Sequence, residues 1–241
     1  CTSQWGVFSI AGPDSRSFLK KIVVSEDPDK TLSNKEFPWL SYRDIEIGMC
    51  PVRALRVAYT GELGWELHHP IEMQNYLLDI LLSSGEEFNL KLVGARAQNW
   101  LRQEKSYKAF GSDLGRDAGP FESKLSRFVD INKNFLGKDA LLKRKTDVSC
   151  VTLLIDGPKD IDPWGREALY NETEEVMLGR LTSAGYSVHF KRSIGIGYVK
   201  SSFSEVGTKL RIKIDDAFWN AEIVRDSPYD PQNERIIDRA Q

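Results

Sequence analysis

The clearest pattern of hydrophobic and polar positions in the chain predicts a β-hairpin. Residues 52–59 alternate side chains between the two faces of a half-buried strand. Residues 60–64 carry two glycines, which supply the positive-φ conformations of a tight reversal. An extended pattern resumes over residues 65–69. The sequence therefore predicts a hairpin that places Tyr59 just before its turn and Glu66 just after it.

The rest of the first half alternates between helical and extended patterns. Residues 71–84 form the clearest expected helix, because Met73, Leu77, Ile80 and Leu81 recur at the spacing of one helix face. The pattern predicts further helices over residues 14–23, 94–108 and 122–129, and further strands over residues 5–11 and 39–47. This half therefore mixes sheet and helix.

From Asp147 onwards, short strands separated by turns recur at intervals of 8–12 residues. This spacing is typical of an antiparallel barrel or sandwich. We therefore expect an α+β protein with two domains, residues 1–145 and 146–241. We expect residues 227–241, rich in Asp, Pro, Asn and Arg, to be a surface extension.

Composition narrows the classes of function. The 241 residues are 41% hydrophobic, which is enough for a substantial core, and the formal net charge of −2 argues against a nucleic-acid surface. No apolar run approaches the 18 residues of a membrane span. The sequence does not begin with methionine, and we expect it to be part of a longer chain.

Most residues with reactive side chains lack a recognisable catalytic or metal-binding spacing. The three cysteines are isolated, and we expect Cys50 and Cys150 to be buried small hydrophobic residues. His68 and His69 are neighbours in a strand, so their rings point to opposite faces and we expect no metal site. Glu104 falls near the inward face of its predicted helix, where we expect Arg102 or helix-terminal N–H groups as partners.

Taken by itself, the predicted hairpin is open to two interpretations. A tyrosine and a carboxylate at one corner suit a flat, nitrogen-rich heterocycle, because the ring lies against the tyrosine while the carboxylate accepts two parallel N–H bonds. A glutamate beside a glycine turn is, however, usually solvated, and most turns of this chemistry bind nothing.

A family resemblance favours the first interpretation. The segment Y-T-G-E-L-G-W-E (residues 59–66) resembles the Y-T-G-E-x-G-x-E segment of the aminomethyltransferase family, the glycine-cleavage T-protein and its relatives. Further motifs of the family are matched by Phe110-Gly111, Asp113, Pro120 and Glu122, and by residues 135–141, 179–187 and 193–199. The resemblance implies a folate-binding region, incomplete at its N-terminus, followed by a small Greek-key β-barrel.

The resemblance also implies a tetrahydrofolate site. In the family, the residues that match Tyr59 and Glu66 contact the pterin, and the glutamate takes its 2-amino and N3 hydrogens. We expect Leu67 and His68 to add backbone contacts along the same strand. The aspartate that the family uses near folate N5 and N10 aligns with no residue here, so the catalytic residue is unknown and we expect the fragment alone to be inactive.

The version of the motif here is most similar to the C-terminal region of dimethylglycine and sarcosine dehydrogenases. Gln98 stands where T-proteins have an arginine, and glutamine cannot make a charge-assisted pair. The resemblance then implies that an upstream FAD domain of the same protein oxidises an N-methyl amine to an iminium. The resemblance implies in addition that tetrahydrofolate captures the one-carbon unit as 5,10-methylenetetrahydrofolate.

Two alternatives stay open. One is a stand-alone T-protein-like aminomethyltransferase with a lipoyl-carrier partner, and the other is a folate-binding relative without turnover. The resemblance implies a cytoplasmic protein, or a mitochondrial-matrix protein in a eukaryote.

Overall fold

The computed structural model describes residues 3–144, 146–157 and 161–238. The chain divides into two compact units. The first comprises Cys1–Gln98 together with Asp230–Gln241, and the second comprises Asn99–Tyr229. The boundary expected at about residue 145 falls inside the second unit, shortly before its first barrel strand.

The first unit is built on a four-stranded antiparallel sheet. Its strands are β1 (Trp5–Ala11), β2 (Tyr42–Ile47), β3 (Cys50–Leu55) and β4 (Gly64–Pro70), in the order β1-β4-β3-β2. Helices α1 (Ser15–Ile22), α2 (Pro28–Thr31) and α3 (Gln74–Gly85) belong to the same unit, with 3₁₀ turns at Ile71–Met73 and Glu86–Phe88.

One face of the sheet supplies the core of the first unit. Buried residues alternate along β3 and β4, as expected for strands with one covered face. Helices α1 and α3 contribute apolar stripes to the same core, including Phe18, Leu19 and Leu77. The opposite face of the sheet is largely exposed, with Trp5 and Tyr42 among its exposed side chains.

The second unit contains a closed six-stranded barrel. Its strands are β5 (Val148–Ile155), β6 (Ala168–Tyr170), β7 (Met177–Ser187), β8 (Arg192–Lys200), β9 (Lys209–Ile214) and β10 (Ala217–Val224), joined antiparallel in the order β10-β5-β8-β7-β6-β9. Before the barrel come α5 (Lys138–Lys143) and a 3₁₀ turn at Ser126–Phe128, and a further 3₁₀ turn lies at Ser201–Phe203. The predicted fold class is confirmed.

Two predicted elements end earlier in the structure than the sequence indicated. Strand β3 stops at Leu55 because the N–H of Val57 donates to the carbonyl of Leu55, a tight turn that breaks the ladder. Helix α4 (Ala95–Glu104), which crosses the boundary between the units in sequence, ends because Ser106 adopts a left-handed conformation. The N–H of the next residue, Tyr107, then donates back to the carbonyl of Arg102.

Two other expectations were wrong. Residues 122–129 contain only the short 3₁₀ turn at Ser126–Phe128 instead of a helix. The C-terminal segment is not merely a surface extension, because it forms helix α6 (Glu234–Ile237) and buries Ile236 within the first unit.

Candidate functional site

The candidate site lies on the exposed face of the four-stranded sheet. Along β4, Trp65, Leu67 and His69 are buried, whereas Glu66 and His68 point to the other side. This alternation follows from the period-2 geometry of a strand. The expectation that His68 and His69 face opposite ways is therefore confirmed.

Glu66 and His68 form the polar centre of this face. His68 Nε2 and Glu66 Oε2 are 3.2 Å apart, and the side chains are 30% and 36% exposed, respectively. A carboxylate offers about four acceptor positions, so the contact with His68 leaves acceptor capacity for a ligand. The His68 ring restricts the rotation of the carboxylate, which a solvated glutamate would not experience.

The neighbours of Glu66 across the sheet are small or aliphatic and carry no charge. In the antiparallel register, Glu66 is opposite Ser9 on β1 and Leu55 on β3. His68 is opposite Val7 and Arg53. A flat ring placed on this face would therefore meet one carboxylate among small and aliphatic side chains, which suits a heterocycle with an N–H edge.

An ion pair occupies the β2 side of the face. Arg53 donates to both carboxylate oxygens of Asp44, over 2.8 and 3.1 Å, and its guanidinium lies 5.3 Å from the ring centre of Tyr42. The hydrogen bond from Arg53 lowers the pKa of Asp44, and the same bond raises the pKa of Arg53. Sequence reasoning did not identify this group, although the alternation on β2 and β3 places all three residues on one face.

Tyr59 lies in the loop between β3 and β4, which we call the connector (residues 56–63). The connector has eight residues rather than the predicted five, because β3 ends at Leu55. Gly61 takes a φ of +82°, and a Cβ added at Gly64 would stand 3.0 Å from the Cβ of Ala58 and 2.5 Å from a backbone oxygen of β1. Ala58, the residue before Tyr59, therefore packs against Gly64, the first residue of β4.

Leu67 is placed differently from the other predicted site residues. Its side chain is fully buried in the core, on the face opposite Glu66. Its backbone lies between Phe8 of β1 and Ala54 of β3 in the ladder. The structure thus brings Glu66 and His68 together on the open face, whereas only the main chain of Leu67 is close to that face.

Two buried arginines lie against Trp65 on the core side of β4, behind Glu66. The guanidinium groups of Arg16 and Arg56 lie 5.5 and 5.9 Å from the ring centre of Trp65, the residue before Glu66. Both arginines are 1% exposed, and Trp65 is fully buried. Burial, followed by the charge of Arg16, lowers the pKa of Arg56 to about 10. The available sequence signal was that Arg56 continues the buried alternation of Val52 and Ala54.

In the second unit, the motif residue Asp113 is buried and holds together a polar cluster. Its carboxylate accepts hydrogen bonds from Arg102, Thr182 and Ser183 over 2.5–2.6 Å and from the N–H of Ala109 over 2.9 Å. These contacts fix the loop that follows α4 and two residues of barrel strand β7. The matched family motif at Asp113 is therefore a structural anchor.

Glu104 has partners other than those expected. It is 3% exposed, and its Oε1 accepts hydrogen bonds from the hydroxyl of Ser187 and, over 3.4 Å, from the N–H of His189. Arg102 is instead paired with Asp113. The expectation of Arg102 as partner was wrong because each helical residue is rotated by about 100° from the one before it. Arg102 and Glu104, two positions apart, therefore point to nearly opposite sides of the helix.

Two other features, a metal-binding cluster and a membrane-spanning helix, are absent from residues 3–144, 146–157 and 161–238. No three acidic, histidine or cysteine side chains there stand close enough together to hold a metal ion. No helix in that part of the chain has the length and apolar character needed to cross a membrane. Cys50 and Cys150 are buried and unpaired, as expected.

The comparisons with known proteins agree with the architecture. The GCVT N-terminal domain model matches residues 1–133, and the glycine cleavage T-protein C-terminal barrel domain model matches residues 149–230. The chain therefore belongs to the aminomethyltransferase, or glycine-cleavage T-protein, family. The resemblance stated from the motifs is confirmed.

Individual relatives of the chain are longer than the chain itself. It is 36% identical over 232 residues to mouse dimethylglycine dehydrogenase, which covers 93% of this chain and 26% of the relative. It is 29% identical to a 4-methylaminobutanoate oxidase (formaldehyde-forming) of Paenarthrobacter nicotinovorans, covering 98% of this chain and 28% of that protein. The chain thus spans about a quarter of the length of these relatives.

A solved structure shows the same fold. The aminomethyltransferase T of the Bartonella henselae glycine cleavage system superimposes with a TM-score of 0.77 over 94% of this chain and 60% of that one, at 21% sequence identity. The closed barrel and the mixed sheet-and-helix unit are therefore those of the T-protein fold.

Proposed function

We propose that this chain binds tetrahydrofolate at the corner formed by Tyr59 and Glu66 and acts in one-carbon transfer within a dimethylglycine or sarcosine dehydrogenase-like enzyme. The observation that carries the proposal is the open sheet face on which a half-exposed Glu66 carboxylate is held by His68 and flanked by Leu55 and Ser9. When bound, tetrahydrofolate supplies the acceptor nitrogens for a one-carbon unit at the iminium oxidation level.

The residues present suit the pterin edge. The Glu66 carboxylate can accept two parallel N–H bonds, an arrangement available to a 2-amino group and an adjacent ring N–H. A charge-assisted pair of this kind contributes about 1.5–3 kcal/mol. His68 orients the carboxylate, and Tyr59 packs beside the ring from the connector. Leu67 and His68 contribute the main chain of β4 along the same edge.

The dehydrogenase assignment is supported by the relatives. Mouse dimethylglycine dehydrogenase is 36% identical to this chain over 93% of the chain's length. In the proposed enzyme, an FAD domain outside this chain would supply the oxidation of an N-methyl amine, and tetrahydrofolate held at Glu66 would be the acceptor of the one-carbon unit, which would leave as 5,10-methylenetetrahydrofolate. The mitochondrial dimethylglycine dehydrogenases among the relatives support a matrix location for a eukaryotic protein.

A titration of the protein with tetrahydrofolate under argon tests the site. Replacing Glu66 with Gln keeps the shape but turns one acceptor into a donor that opposes the N–H edge, so we expect the Kd to rise about 10- to 100-fold. The matched control is Glu46→Gln, because Glu46 is an exposed carboxylate on the same sheet face, on β2. Equal affinities for the native protein and the Glu66→Gln variant would remove Glu66 from the site.

A second candidate function is a stand-alone aminomethyltransferase with a lipoyl-carrier partner. The shared fold with the T-protein of Bartonella henselae favours it. Formaldehyde release, measured on the natural full-length protein that contains this chain, separates the two candidates. A dehydrogenase-type enzyme oxidises dimethylglycine or sarcosine and releases less formaldehyde when tetrahydrofolate is present. A T-protein-type enzyme instead requires an aminomethylated lipoyl carrier and releases none from free N-methyl amines.

A further inference from the structure

The C-terminal segment returns to the first unit after the barrel. We call residues 230–238 the C-terminal segment; they include helix α6 and form one compact unit with residues 3–98. Ile236 is 2% exposed, so the segment buries an apolar side chain as well as making polar contacts. A loosely attached tail would not bury an isoleucine.

The last two residues of the C-terminal segment, Ile237 and Asp238, contact the two buried arginines, Arg16 and Arg56. Arg16 Nε donates to Asp238 Oδ2 over 3.0 Å, and Arg56 Nη2 donates to the carbonyl of Ile237 over 2.6 Å. Asn34 Nδ2 donates to the carbonyl of Asp238 over 2.6 Å. Buried guanidinium groups need acceptors and a counter-charge, because an unpaired buried charge is costly. Two consecutive residues of the segment therefore provide one acceptor to each of the buried arginines, and Asp238 makes a third contact with Asn34.

Arg56 is also the first residue of the connector that carries Tyr59. Its N–H donates to the carbonyl of Ser41 over 2.9 Å, and its carbonyl accepts from the N–H of Leu40 over 3.1 Å. Its side chain additionally donates to the carbonyl of Phe37 over 2.7 Å. The position of Arg56 therefore fixes where the connector leaves the sheet.

The far end of the connector is attached at several points. Arg235 in α6 lies 3.4 Å from the Glu62 carboxylate. The carbonyl of Leu63 accepts from the N–H of Gly12 over 2.8 Å and from the hydroxyl of Ser15 over 3.1 Å. Exposed ion pairs contribute little energy, so the Arg235 contact adds little to the stability of the fold. The C-terminal segment thus touches the connector on both sides of Tyr59.

We propose that the C-terminal segment is a clasp that positions the connector, so that Asp238 and Arg56 are positioning residues for the Tyr59–Glu66 corner. The proposal rests on the proposed function for its effect on ligand binding. Asp238 is the carboxylate next to two like-charged guanidinium groups, and its removal favours outward movement of Arg56, which begins the connector.

Amide hydrogen exchange tests the clasp without any ligand. In the Asp238→Ala variant of the full chain, we expect exchange of residues 57–63 to become at least about tenfold faster, because loss of the anchor lowers the local opening free energy. Exchange in barrel strands β5 and β8 should not change. Asp238→Glu keeps the carboxylate and should restore slow exchange to within about threefold of the native protein.

Two control variants separate positioning from general destabilisation. Asp29→Ala removes an exposed carboxylate that is paired with Lys20 over 2.7 Å in the same unit. Leu77→Ala removes core packing from α3 in that unit, at a position outside the connector and the C-terminal segment. Both should leave exchange in residues 57–63 within about threefold of the native rate, at a temperature where both variants remain folded.

A tetrahydrofolate titration supplies the second readout. We expect Asp238→Ala to raise the Kd about tenfold and Leu77→Ala to leave it within about twofold. Unchanged connector exchange in Asp238→Ala, or equal effects of Asp238→Ala and Leu77→Ala, would overturn the clasp. A native protein that does not bind tetrahydrofolate would overturn the proposed function instead, and the exchange measurement would still decide whether the connector depends on the clasp.

Discussion

The buried carboxylate of Asp113 allows a quantitative test of how the second unit is stabilised. Its side chain is fully buried, and Arg102 beside it is 2% exposed. Asp113→Asn keeps the size of the side chain but removes its charge, and it presents an N–H₂ group to neighbours that are themselves donors. Arg102 is then left as a buried cation whose remaining contacts are to neutral acceptors, including the carbonyl of Tyr107.

The expected cost follows from these contacts. Breaking a buried ion pair by removing one partner costs about 3–5 kcal/mol, because the other charge stays buried without compensation. We therefore expect Asp113→Asn to lower the free energy of unfolding by about 3–5 kcal/mol in urea denaturation followed by circular dichroism. This is a large part of the stability of a typical domain.

The matched control lies in the same unit. Asp156 pairs with Arg192 over 2.6 Å at the surface, where its side chain is 58% exposed. Asp156→Asn should cost at most about 1 kcal/mol, since exposed pairs contribute little. A loss below about 1 kcal/mol for Asp113→Asn, or equal losses for the two variants, would refute the account of the buried cluster.

Two further predictions concern the same unit. A Cβ added at Gly185 would lie 2.0 Å from the Trp100 indole, so Gly185→Ala should cost about 1–3 kcal/mol in urea denaturation, whereas Gly115→Ala, with open space around it, should cost little. Burial raises the pKa of Cys150 from 9.0 to about 11, so the folded thiol keeps its proton where the unfolded thiol has lost it. The contribution of the Cys150 thiol to the free energy of unfolding is then fully present below pH 9 and is lost as the pH rises towards 11. The Tyr198 hydroxyl, with a pKa raised to about 12, acts in the same direction. Thermal melts from pH 8 to 11 check this: the fall should be smaller in Cys150→Ala, and an equal fall in both proteins would contradict it.

The general architecture was accessible from the sequence because burial imposes clear periodicities. Helix α3 followed from apolar residues at helical spacing, and the barrel followed from short strands at regular intervals. The alternation along β4 correctly placed His68 and His69 on opposite faces. These features depend on local patterning, which a single sequence contains.

What the sequence did not reveal depends on contacts between distant residues. The end of β3 at Leu55 is set by a turn bond and by Ser41, neither of which alters the alternation. Glu104 and Arg102 stand two apart in one helix, and their partners come from β7 and the loop after α4. The docking of residues 230–238 on Arg16 and Arg56 joins positions about 200 residues apart, and a polar composition alone predicted a surface tail.

The central claim is that a reduced pterin binds on the open sheet face with its N–H edge against Glu66. A crystal structure of the protein with 5-formyltetrahydrofolate measures this directly. The account predicts that the Glu66 carboxylate accepts hydrogen bonds of about 2.7–3.2 Å from the 2-amino and N3 groups of the pterin, with the Tyr59 ring beside it. A pterin bound elsewhere, or a Glu66 carboxylate directed away from it, would contradict the account.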